Sequence, residues 1–113
     1  MSVSPPPHRP TQAGSEEDAR ERFARLAADW KDQSRYLSNS VQMALLRPYQ
    51  RIIGMGPAVV PLILEELERE PDQWFWALEA ITEQYPVPPD AAGVVRSMAE
   101  AWIAWGRAEG YMQ

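Results

Sequence analysis

The chain has 113 residues with 11 basic against 16 acidic side chains, so its net charge of -5 sets up a field that opposes a polyphosphate backbone. It contains no cysteine, which excludes a disulfide framework, a thiolate zinc site and a thiol nucleophile, and makes a reducing cytosol the expected compartment. With 45% hydrophobic residues and five tryptophans the length fits one domain around one core, and no run reaches the roughly 20 apolar residues of a membrane span.

Near the start, Ser4-Pro-Pro-Pro-His-Arg-Pro10 cannot hold a helix, because each proline removes an amide donor and restricts its predecessor. Residues 1–14 are therefore expected to be a disordered tail, and residues 15–113 a single helical domain. Ser15 followed by Glu16, Glu17 and Asp18 has the form of a helix start, a capping hydroxyl and then acids where the helix dipole is positive. Ala19, Phe23, Leu26, Ala27 and Trp30 then recur at three- and four-residue spacing, which predicts a first amphipathic helix ending near residues 32–35. Ser38-Asn39-Ser40 offers caps for a second helix over residues 41–46, which Pro48 closes or kinks before residues 49–53 continue.

Gly54-Met-Gly56-Pro57 is a breaker cluster. From Pro57 a third helix is expected, with Val59, Val60, Leu62, Ile63 and Leu67 inward and Glu65, Glu66, Glu68, Arg69 and Glu70 outward. Pro61 implies a kink unless that helix begins at Ala58 or later. Pro71 and Asp72 turn the chain into a fourth helix over residues 73–84, antiparallel to the third. After Pro86-Val-Pro88-Pro89, Asp90 is placed to cap a last helix over residues 91–109, with Gly110 as its stop. About five helices and no strand predict an all-α fold, a compact orthogonal or antiparallel bundle.

Residues 54–67, Gly-Met-Gly-Pro-Ala-Val-Val-Pro-Leu-Ile-Leu-Glu-Glu-Leu, followed by Trp76-Ala-Leu-Glu-Ala-Ile81, resemble one HEAT or armadillo-like repeat unit. The resemblance implies that the third and fourth helices pack as a hairpin, residues 55–83, at the centre of the bundle. No second copy recurs at the period of about 30 to 50 residues that a solenoid needs, so a single unit capped by flanking helices is expected. The wider string from Gln42-Met43 through Trp102-Ile-Ala-Trp105-Gly106 and Gly110-Tyr111 also resembles a small bacterial family without assigned activity, which implies a bacterial or mobile-element origin.

Chemistry-bearing constellations are sparse. The single imidazole, His8, lies in the proline-rich tail, so transition metals lack their ordinary nitrogen and sulfur ligands. Ser38, Ser40 and Thr82 have no basic partner in sequence and no Gly-x-Ser-x-Gly turn. Gly54-Met55-Gly56 lacks the Lys-Ser/Thr ending of a phosphate loop. No catalytic residue, metal ligand or cofactor is assigned, and a non-enzymatic protein is expected.

Residues 57–90 hold eight acids against one arginine, a net -7 that exceeds the charge of the whole chain. Such a surface attracts a basic partner. Within it, Trp74-Phe75-Trp76 sets three large rings about 100° apart on a helix, too spread to enter one core, and Trp76 looks along the strip of Glu79, Ala80 and Glu83. Trp76, Glu79, Glu83, Glu65, Glu66 and Glu68 are the expected partner-binding residues. Arg47 and Arg51 around Tyr49 form a local basic patch suited to an anion or an acidic partner, or to the domain's own acids.

These features point to a protein-interaction module presenting an acidic, aromatic-bearing hairpin, an antitoxin-like or regulatory partner of a basic protein. The alternative is a DNA-binding regulator using residues 41–53 as a helix-turn-helix element, against which the net charge argues. Trp102, Trp105 and Tyr111 on the C-terminal helix serve either the domain's own core or a homodimer seam.

Overall fold

The computed structural model describes the backbone of residues 12–113 and the side chains of residues 18–113. Among these residues six α-helices and two short 3-10 turns follow one another, and no strand occurs. The fold is all-α, as the spacing of apolar residues predicts. No described helix is long and apolar enough to cross a membrane.

Helix α1, Gln12–Gln33, begins upstream of the expected cap, so Ser15 lies inside the helix and residues 12–14 are helical. The rest of the expected tail, with His8, falls outside the described residues. The apolar stripe behaves as its spacing requires, because Phe23, Leu26, Ala27 and Trp30 are buried. Asn39 supplies the cap of α2, Ser40–Ala44, its side chain accepting hydrogen bonds from the amides of Val41 and Gln42 at 2.8 and 3.1 Å. Pro48 opens α3, Arg47–Gly54, rather than closing the segment before it, since a proline costs least in the first turn of a helix.

Pro61 causes no break for the same reason. A 3-10 turn, Gly56–Val59, carries the chain into α4, Val60–Arg69, so Pro61 falls in the first α-helical turn where its missing amide needs no partner. Helix α5, Phe75–Thr82, is shorter than the expected span of residues 73–84. Asp90 does not cap the last helix. It sits in a second 3-10 turn, Pro89–Ala91, after which Ala92 is extended and Gly93 takes φ +88°, and α6, Val95–Ala108, starts from Val94.

Gly110 does stop α6, by a Schellman motif. At φ +86° its amide bonds to the Arg107 carbonyl at 3.2 Å while the Tyr111 amide bonds to the Gly106 carbonyl at 2.8 Å. The accompanying apolar contact is aromatic, with the Tyr111 and Trp105 rings stacked at 5.3 Å.

Three helix pairings build the core: α1 on α3, α4 on α6 and α3 on α5. Helices α4 and α5 touch, although each has a more extensive neighbour in α6 and α3 respectively. An aromatic knot holds the first and third pairings together, with the Trp30 ring 4.4 Å from Trp74 and 5.2 Å from Tyr49, and Phe23 5.5 Å from Trp74. On the other side α4 and α6 approach closely at Gly106, where an added Cβ would stand 2.5 Å from the Leu64 Cδ1.

Candidate functional site

The eight acids of residues 57–90 have different surroundings: four are paired with cations, Glu79 and Glu83 line a groove, and Asp72 and Asp90 make no ion pair among the described residues and lie outside that groove. On α4, the Glu65 carboxylate accepts a hydrogen bond from Arg20 of α1 at 2.8 Å, and Glu68 accepts one from Arg107 of α6 at 2.6 Å. Lys31 of α1 bridges Glu66 and Glu70, and Arg69 reaches back to Glu66 on its own helix. Burial acts against the Lys31 ammonium, but the hydrogen bonds and charges of Glu66 and Glu70 outweigh it and lift its pKa above 10.5. The same ammonium holds the Glu70 carboxyl below its ordinary range. Glu65, Glu66 and Glu68 are thus engaged with cations of this chain, and α4 is laced to α1 on one side and to α6 on the other.

Glu79 and Glu83 make no ion pair among the described residues and are exposed. Trp76, Glu79 and Ala80 form a stripe on one face of α5, away from the buried Ala77 and Leu78, and Glu83 follows at the helix C-cap. Trp76 is the ring left over from the aromatic triplet: it is 42% exposed, while Trp74 is fully buried and Phe75 nearly so. This stripe forms one wall of an open groove of about 620 Å³. Tyr85, which is 53% exposed, Met98 of α6, Phe75, Gln73 and Ser40 complete its lining. No basic side chain among the described residues lines the groove.

Glu83 also carries an unusual backbone. Its φ of +59° places it in the left-handed region, the single non-glycine residue there among those described. A residue in that conformation ends a helix well, yet glycine or asparagine does so at lower cost. The position instead holds a carboxylate that lines the groove.

The start of α5 is fixed from a distance. Its Ncap, Trp74, makes no side-chain capping bond, and the orphan amide of Ala77 is taken by the Tyr49 hydroxyl of α3 at 2.9 Å. That hydroxyl donates in turn to the Gln73 carbonyl at 2.9 Å. Tyr49 is fully buried and its pKa is pushed far up by desolvation, so it does not stand at the surface between Arg47 and Arg51. This corrects the expected Arg47-Tyr49-Arg51 contact: the two arginines are exposed and without an ion pair among the described residues, and the tyrosine is a structural pin.

The described residues contain no group of three His, Cys, Asp or Glu placed to hold a metal ion. Thr82 is occupied by its own helix, its hydroxyl donating to the Leu78 carbonyl at 2.7 Å. What the groove offers is ring faces, carboxylate acceptors and apolar walls. Sequence reasoning reaches Trp76, Glu79 and Glu83 but misses Tyr85, whose only signal is its place two residues past Glu83 and just before Pro86, and Met98, which looks like one more apolar position on α6. Compared with known proteins, the chain matches no family model, no curated protein and no solved structure.

Proposed function

We propose that this protein is a non-enzymatic interaction module that receives a basic protein partner in the α5 groove. The observation that carries the reading is the contrast between the two acidic sets. Glu65, Glu66, Glu68 and Glu70 each pair with a cation of the same chain, whereas Glu79 and Glu83 have none among the described residues and stand beside the exposed rings of Trp76 and Tyr85. Exposed aromatics beside uncompensated charge are what a partner of opposite charge can bury. In this reading the HEAT-like segment is the scaffold of the groove, and the protein acts as a cytoplasmic regulatory or antitoxin-like partner in a bacterial cell.

Capture from a bacterial lysate on the intact chain, on Trp76→Ala and on Glu79→Gln/Glu83→Gln tests it. A basic protein retained by the first and lost from both variants is the expected result. The same proteins on all three baits, or none on any, would count against the groove.

A second reading has one observation behind it: Arg47 and Arg51 on α3 are exposed and make no ion pair among the described residues. A DNA-binding regulator would use them on phosphate, and its binding to generic DNA would fall steeply with salt. An intact chain that does not retain DNA at low salt removes this alternative.

A further inference from the structure

We infer that the group the α5 groove takes from its partner is an arginine side chain, held in preference to lysine. The inference rests on the basic-partner reading and adds which cation is recognised.

The groove supplies ring faces and acceptors together. Trp76 and Tyr85 present exposed aromatic faces, and a planar guanidinium stacks on such faces while an ammonium meets them as a point charge. Glu79 on α5 and Glu83 at its C-cap both line the groove, so two carboxylates border one space. Five guanidinium N–H groups can engage two carboxylates at once in fork geometry, which three ammonium N–H groups on one nitrogen match less well. Met98 and Phe75, which also line the groove, give apolar surface for the aliphatic stem of a long side chain.

The occupant that matches the two carboxylates by charge is a basic segment of another protein, and no cation among the described residues reaches Glu79 or Glu83.

The test is calorimetric titration of the full chain at low salt with two synthetic peptides of equal charge, hexa-arginine and hexalysine. Circular dichroism confirms the fold of each variant. Hexa-arginine is expected to bind about tenfold more tightly than hexalysine, the scale of a lost stacked and bidentate contact. That preference is expected to vanish in Trp76→Ala and in Glu79→Gln/Glu83→Gln, and to persist in Glu21→Gln/Glu100→Gln, which removes the same charge elsewhere. Equal affinity for both peptides, still dependent on Trp76, overturns the arginine inference and leaves the basic-partner reading standing. Binding indifferent to the groove variants, or no binding, overturns both. So does a concentration-dependent dimer of the free chain that Trp76→Ala or Arg47→Gln/Arg51→Gln dissolves, because the groove would then hold a second copy.

Discussion

Tyr49 and Glu83 show how single residues set the groove. The Tyr49 hydroxyl satisfies both the Ala77 amide and the Gln73 carbonyl from within the core, standing in for the cap that α5 lacks. Tyr49→Phe keeps the ring and its packing but leaves a buried amide without an acceptor, so urea unfolding should show a loss of about 1–3 kcal/mol. Glu83→Gly should act in the opposite sense. Relief of the left-handed φ is worth about 1 kcal/mol, so the thermal midpoint should rise while binding of a cationic peptide weakens. A fall in stability would mean that the Glu83 side chain makes a contact worth more than its strain. Neither role is legible in sequence: a tyrosine between two arginines looks like part of their patch, and nothing local signals a left-handed glutamate.

At the scale of the elements, α4 is a strut clamped between α1 and α6. Its contact with α6 is tight at Gly106, where a methyl group would collide with Leu64 Cδ1. Gly106→Ala gains about 1 kcal/mol of helix propensity but forces a well-packed leucine to move, and overpacking of this kind costs about 1–3 kcal/mol. Chemical denaturation should therefore show a net loss. Combined with Leu64→Ala, the loss should be smaller than the sum of the two single variants, since the new methyl group occupies space the leucine vacates.

The clamp to α1 is ionic and depends on pH in a determinate way. Glu70 has its folded pKa lowered, so its contribution is present above its ordinary value of 4.5 and is lost as pH falls through the lower folded value. Lys31 has its folded pKa raised, so its contribution is complete below 10.5 and is lost as pH rises through the higher folded value. Lys31→Met should differ from the intact chain by a constant amount between these limits, and the two stability curves should converge beyond each. A difference that keeps growing at neutral pH would contradict this account.

Most helices are readable from periodicity, since Phe23, Leu26 and Trp30 on α1 and Leu62, Ile63 and Leu67 on α4 bury the faces their spacing assigns. Helix starts are harder. Asp90 has the chemistry of a cap, but the Ala91-Ala92-Gly93 run after it closes into a turn first, and the helix begins from Val94, which has no capping side chain. Pro48 and Pro61 both lie in first turns, a placement that sequence alone leaves open against a kink.

Across the whole molecule, charge is the property that sequence states in total but not in distribution. A run of acids over residues 57–90 reads as one acidic surface. Folding brings Arg20, Lys31 and Arg107 from distant parts of the chain onto α4 and neutralises that helix, while Glu79 and Glu83, beside Trp76 in the groove, have no ion pair among the described residues. Trp76 is legible in the sequence because the exposure of one of three adjacent rings depends only on helix geometry. Which acids are free depends on long-range pairings, and those are invisible in the local sequence. The C-terminal helix is also largely committed to the chain itself, with Trp102 fully buried and Trp105 covered by Tyr111.

The division of the acids is tested most directly by titrating hexa-arginine against two variants that lose equal charge, Glu65→Gln/Glu68→Gln and Glu79→Gln/Glu83→Gln. The account predicts that the first binds like the intact chain and that the second loses at least about tenfold in affinity, the scale of a desolvated charge pair left without its partner. Equal losses in the two variants would show that the peptide responds to net charge alone, and would contradict the claim that the groove is a distinct site.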